Sequence, residues 1–343
     1  MRVLAFLALC ATLARAGPPR LAVVVVVDQL RPDTLARFRG EYRGGLKRVL
    51  ESGRGFPCAH DHAATETAPG HATLLTGCHP RSHGITQNGW LDAAGLRQVY
   101  CVEDERSPVF GARGEGRSPR LLLRPGLGDW MKAADPRSRV VAVAGKDRAA
   151  LLMGAFHADA AFWFHPEAGG MTSSGYYFPA GLPDWVAAFH ADGWVDALPE
   201  EWSYAPDPSL GPDDDPRESP LFGRASPHPL RRGDRRRFLE AFVGSPYLDE
   251  LTLRFARRLV ERYDLGGDGS PDLLCVSCSS TDTVGHLYGP ASQEVRDTVL
   301  RLDARLGELF DLLDARGHRW IVALSADHGV LPLAQLRRAP LQE

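Results

Sequence analysis

Beyond residue 16 the sequence has no apolar run approaching the roughly 18 to 20 residues that a membrane-spanning helix requires. Stable membrane insertion of the mature chain is therefore not expected. Positive charge is not in excess either: 40 Lys and Arg against 43 Asp and Glu give a net charge of -3. Such a balance exerts no general pull toward nucleic acid. Cysteine is sparse, and of the six in the chain Cys10 lies in the first sixteen residues. The others, Cys58, Cys78, Cys101, Cys275 and Cys278, are odd in number, which argues against a disulfide-built scaffold. CVSC at 275–278 lies in an apolar run with strand-like alternation, where small buried thiols are expected rather than a metal or redox pair.

What is present begins with MRVLAFLALCATLARA at 1–16, with an early Arg2, an apolar centre and small Ala14 and Ala16. This pattern reads as a secretory signal cut before Gly17, and predicts a secreted or periplasmic protein. Loss of Arg2 and Arg15 with it makes the mature chain more negative still. The remainder, 17–343, is long enough for one large domain.

LAVVVVV at 21–27 is a β-branched run suited to a strand buried on both faces. Further strands are expected at 140–145, 272–278 and 320–326, and helices at 43–52, 67–76, 247–262 and 292–315. Strands alternating with helices imply an α/β fold, a doubly wound, mainly parallel sheet flanked by helices, whose ligands bind at the carboxyl ends of the strands. Residues 160–240 differ: they are rich in Trp, Pro and Asp, show no internal repeat, and are expected to form an inserted cap. The arginine run RRGDRRR at 231–237 is read as a solvated face.

Each predicted strand ends on chemistry. Asp28 follows the first, Lys146, Asp147 and Arg148 follow the second, SSTDTVGH with Asp282 and His286 follows the third, and Asp327 and His328 follow the last. Three carboxylates and two imidazoles are ligands that zinc accepts. Asp282 and His286, four residues apart on one helical turn, face the same way and can share one ion. Asp327, His328 and Asp28 suggest a second. Thr67 stands where TETAPGHATLLTG turns from loop to helix, with Pro69 marking a helix N-terminus that attracts anions such as phosphate. Helix capping is the ordinary role for such a threonine; metal coordination is one way of making its hydroxyl a nucleophile.

Taken together, VVVVVDQLRPD, TETAPGHATLLTGCHPRSHGITQNGW, KDR, SSTDTVGH and SADHGV resemble the alkaline phosphatase superfamily. Within it they are most similar to the branch of phosphate-irrepressible alkaline phosphatases and type I phosphodiesterase/nucleotide pyrophosphatases. The resemblance implies a metal-dependent phosphoric ester hydrolase with two zinc ions, its nucleophile Thr67 forming a covalent phosphothreonine that water then hydrolyses. It further implies that Asp28, Thr67, Asp327 and His328 surround the zinc that activates Thr67. Asp282 and His286 would hold the other, which stabilises the leaving oxygen and later supplies hydroxide. Asn88 would donate to a phosphoryl oxygen, and Lys146 and Arg148 would bind the non-bridging oxygens. Two cations favour a monoester, which carries about one more negative charge than a diester.

Sulfatases would need an arginine shortly after the proline, and Pro69 is followed by Gly70 and His71. A second departure concerns the metal. The family completes its zinc site with a histidine well downstream of the DHG motif, whereas 329–343 contain none. The tail is also short for the strands and helices that normally complete the fold, so a chain lacking the C-terminal part is expected. A secreted phosphomonoesterase is the leading reading. The alternatives are a phosphodiesterase or nucleotide pyrophosphatase, and a truncated, non-catalytic homologue that binds phosphate or metal. The sequence is silent on oligomeric state.

Overall fold

The computed structural model describes residues 17–331. The leader at 1–16 and most of the tail lie outside the described residues. Six strands form the main sheet: β1 (Leu21–Val27), β2 (Val140–Ala144), β3 (Ala160–His165), β4 (Gly170–Thr172), β5 (Asp272–Cys278) and β6 (Trp320–Ser325). Their spatial order is β6-β1-β5-β2-β3-β4. All pairings are parallel except β3 with β4. The helices that matter for the site and its support are α1 (Gly45–Ser52), α2 (Thr67–Thr76), α3 (Asp147–Gly154), α4 (Tyr247–Arg262), α5 (Ser280–Tyr288) and α6 (Gln293–Ala315).

The β-branched run of β1 forms a central strand because both of its faces are covered. Val23, Val25 and Val27 pack with Leu251, Phe255, Leu259, Val299, Leu306 and Phe310, from α4 and α6. Val26, on the opposite face, joins Ala68, Ala72, Leu151, Leu152 and Met153, from α2 and α3. The architecture is thus three-layered and doubly wound, as the alternation of strands and helices implies. Cys275 lies in the second core and Cys278 in the first. A three-residue spacing on a strand sends them to opposite faces, which removes them as a ligand pair. All five cysteines among the described residues are free.

Register explains why the chemistry collects at one edge. Val27 pairs with Cys278, Val26 with Ser325 and Ser277 with Ala144. Four neighbouring strands therefore end level, and the segments that leave those ends carry Asp28, Lys146, Asp282 and Asp327 to one edge of the sheet. The stretch expected to be a cap begins with β3 and β4, which extend the main sheet. Its later part, 201–229, contributes a small two-stranded ladder and a buried polar group in which Tyr204 donates to Glu294 of α6 at 2.7 Å. Of the arginine run, Arg232 donates to the carbonyls of Val195 and Asp196 and Arg236 pairs with Glu240, so these charges are engaged within their own neighbourhood. No helix among the described residues is long and apolar enough to cross a membrane.

One contact between layers depends on a single carboxylate. Asp303 of α6, 3% exposed, accepts from the backbone N–H groups of Arg43 at 2.6 Å, Gly44 at 2.7 Å and Lys47 at 3.1 Å. It thereby holds the turn into α1, pairing one first-turn amide, Lys47, and the two amides that precede the helix. Asp303→Ala leaves three amides unpaired, and a loss of about 3 kcal/mol is expected in urea denaturation, given about 1.5–3 kcal/mol for a hydrogen bond to a charged group.

Candidate active site

Asp28, immediately after β1, is fully buried. One of its oxygens, Oδ2, accepts from Lys146 Nζ, and the other, Oδ1, stands 3.2 Å from His328 Nε2. Asp282, in the first turn of α5, receives the same ammonium on Oδ2 at 2.6 Å and faces His286 Nε2 across 3.2 Å with Oδ1. Asp327 and His328 enter from the end of β6, with His328 Nε2 3.6 Å from Asp327 Oδ2 and 4.0 Å from Asp282 Oδ1. Asp28, Asp282 and His328 each offer a donor atom, and those atoms lie within 4.8 Å of one another. This trio draws on both of the ligand sets inferred from the sequence, so the two sets lie side by side.

The electrostatics record how much negative charge the site concentrates. Burial pushes the Asp327 carboxyl upward, but His71 and His328 beside it outweigh that effect and keep it well below the usual carboxylate range. Burial lowers His328, yet its hydrogen bond to Asp28 and the charges of Asp327 and Asp28 carry it up to about 9. Two buried carboxylate oxygens, Asp28 Oδ1 and Asp327 Oδ2, are approached by imidazole nitrogens alone, His328 Nε2 and His71 Nδ1, each at 3.2 Å. Buried carboxylates gathered this closely are costly unless positive charge compensates them, and the mixed oxygen and nitrogen set suits zinc. Lys146 already shows the site's demand for positive charge, because its ammonium lies between Asp28 and Asp282.

Thr67 opens α2 and is 2% exposed. The N-cap is Glu66, whose own side chain makes no cap hydrogen bond, and the Ala68 N–H is taken by Asn88, so the Thr67 hydroxyl is free of the ordinary capping role. It accepts instead from Arg148 Nη2 at 3.3 Å. Arg148 is steadied by Tyr100, whose hydroxyl accepts from Nη1 at 3.4 Å and donates to Asp147 Oδ1 at 2.6 Å. Arg117 completes the arrangement, donating to Asp147 Oδ2 at 2.8 Å with its guanidinium 4.8 Å from the centre of the Tyr100 ring. Asn88 uses its carbonyl oxygen to accept from Ala68 N at 2.8 Å, which directs its amide donors away from the helix start. Lys146 is held by carboxylates, so Arg148 is the cation seated on Thr67.

Several contributors carry no strong signal of their own in the sequence. His71, fully buried, places Nδ1 2.8 Å from the Thr67 carbonyl and 3.2 Å from Asp327 Oδ2, with Nε2 2.8 Å from Ser277 Oγ. It follows Thr67 by four residues on one helix, the same spacing that singles out Asp282 and His286. Gln29, Tyr100 and Arg117 become visible only through their partners.

The sequence model of the type I phosphodiesterase / nucleotide pyrophosphatase family matches residues 22–342. Alkaline phosphatase PhoK of Sphingomonas sp is 37% identical over 94% of this chain and 57% of its own length. The crystal structure of wild-type alkaline phosphatase PafA aligns with a TM-score of 0.87 at 34% identity, over 95% of this chain and 66% of that one. A PafA variant with one threonine replaced by serine and an asparagine, a lysine and an arginine replaced by alanine aligns at 0.88 and 33% identity, over 95% and 67%. This chain therefore spans little more than half the length of PhoK.

Proposed function

The chain belongs to the type I phosphodiesterase / nucleotide pyrophosphatase family, within the alkaline phosphatase superfamily, and from that premise we propose that it is an exported two-zinc phosphomonoesterase with Thr67 as its nucleophile. The observation that carries the proposal is the seating of the Thr67 hydroxyl at a helix start, against Arg148 and beside a buried carboxylate and histidine cluster. Asp28, Asp327 and His328 with Thr67 would hold one ion, and Asp282 with His286 the other. Bound zinc supplies Lewis acidity, which lowers the pKa of a hydroxyl and offsets charge on a leaving oxygen.

The chain's own residues do the rest. Arg148 and the Asn88 amide bind the non-bridging oxygens and aim phosphorus at Thr67. Thr67 gives its proton to solvent water, Oγ bonds to phosphorus, and the bond to the ester oxygen breaks, that oxygen taking a proton from water to leave as the alcohol. Water then attacks the phosphothreonine, the bond between phosphorus and Oγ breaks, and inorganic phosphate leaves with Thr67 restored. His71 fixes the Thr67 carbonyl and Asp327 at once, so that helix and strand end keep their spacing. The same four residue types altered in the PafA variant occur here as Thr67, Asn88, Lys146 and Arg148. The leader pattern at 1–16 supports export.

A diesterase reading draws on one specific feature. With Lys146 engaged by Asp28 and Asp282, one cation rather than two meets the phosphoryl group, and a single cation discriminates less strongly by charge. Rates on p-nitrophenyl phosphate and bis-p-nitrophenyl phosphate decide between them. A higher kcat/KM on the monoester is expected, whereas a preference for the diester would replace the monoesterase assignment. Arg148→Ala should lower monoester kcat/KM by about 10²-fold, in line with loss of one donor to a developing oxyanion, and the diester rate by less. A chain that binds zinc and phosphate yet hydrolyses neither ester is a non-catalytic homologue.

A further inference from the structure

Gln29, next to Asp28, adopts the left-handed conformation, with φ 66°. That region costs a residue with a Cβ about 1–2 kcal/mol, so it persists where the surroundings hold it. Three contacts do so. Its backbone N–H donates to Asp327 Oδ1 at 3.1 Å, its side-chain Nε2 donates to Asp282 Oδ1 at 2.8 Å, and the same Nε2 is 3.3 Å from His286 Nε2. The side chain reaches α5 only because residue 285 is glycine: a Cβ there would overlap Gln29 Oε1. One residue thus touches candidate ligands from two chain segments while adjoining a third.

We propose that Gln29 is a positioning residue that orients Asp282 in the half of the metal site it shares with His286, while its turned backbone ties that half to Asp327. This rests on the two-zinc reading above. A carboxylate that accepts a hydrogen bond on one face presents its remaining lone pairs in a fixed direction, and outer partners of this kind are worth about 10- to 100-fold in metal affinity. The amide has two protons, one for Asp282 and one for an unprotonated His286 nitrogen. A bond from that nitrogen to a metal replaces the second contact and leaves the first.

The side-chain and backbone roles separate cleanly, because glycine accepts a positive φ without penalty. Gln29→Gly should leave the metal-free chain melting above Gln29→Ala, since both lose the side chain and only alanine keeps the strained φ. Zinc titration against a competing chromophoric chelator should show one of two affinities weakened 10- to 100-fold and the other changed by less than about threefold. Gln29→Ala should show the same selective loss with a melting temperature below that of Gln29→Gly. The proposal is overturned if Gln29→Gly binds both ions as tightly as wild type, or if affinity at both sites falls only in parallel with stability across the two variants. A wild-type chain that binds a single ion refutes the two-zinc reading instead, and Gln29 is then judged on that affinity, an unchanged value overturning the proposal. Wild type binding none overturns both.

Discussion

Thr67→Ala is expected to lower p-nitrophenyl phosphate turnover by roughly 10⁴- to 10⁶-fold, the range seen when members of a catalytic nucleophile unit are removed. Such a loss has to be separated from a structural one, and the geometry allows it. The hydroxyl does not cap α2, and its hydrogen bond is to Arg148 rather than to the helix backbone. Removing it strips no backbone amide of its partner, so the change in stability should stay within about 1 kcal/mol. Thr67→Ser, which keeps the hydroxyl, should retain far more turnover than alanine. Acid quenching during turnover should trap phosphate on residue 67 in the wild type, detectable by mass spectrometry, and none in Thr67→Ala. If Thr67→Ala turned over at the wild-type rate, the nucleophile would lie elsewhere and the seating of Thr67 would be incidental.

The distinction between what the sequence displays and what it hides follows from the range over which each interaction acts. The run at 21–27, the helix at 67–76 and the strand at 272–278 are local patterns, and the structure forms them over the same residues. The site could be read because parallel register is also a simple rule: strands that end level bring Asp28, Asp282 and Asp327 to one edge. Lys146 shows where that rule stops. Its position at a strand end is legible, but its pairing with Asp28 and Asp282 depends on the approach of separate segments. Gln29 is harder still, since nothing in DQL announces a positive φ. His71 was within reach, four residues beyond Thr67 on a predicted helix, though a histidine there has many ordinary core roles. The sheet edge at β3 and β4 does carry a local signal, the aromatic run AAFWFH at 160–165, but composition averaged over 160–240 submerges it in the Pro- and Asp-rich stretch that follows.

Gly70→Ala tests the same site from its backbone, and two opposed effects set its sign. In a helix interior, alanine is favoured over glycine by about 1 kcal/mol, so propensity alone predicts a more stable protein. Packing predicts the reverse. A Cβ at residue 70 would lie 2.7 Å from Asp327 Cβ and 2.8 Å from its carbonyl carbon, with backbone rather than a flexible side-chain end in the way. Overpacking of this kind costs about 1–3 kcal/mol, enough to reverse the propensity gain, so a lower melting temperature is expected. Function should suffer more than stability. Relief of the clash pushes α2 away from the end of β6, separating Thr67 and His71 from Asp327, and a displacement of about 1 Å at a reacting group can cost 10²-fold. We therefore expect kcat/KM to fall by roughly 10²- to 10³-fold, with weaker zinc binding, in a chain that still unfolds cooperatively. A Gly70→Ala protein that melted higher and kept its turnover would mean that helix and strand end do not meet at Asp327, and the placement of Thr67 beside the carboxylate cluster would fall with that contact.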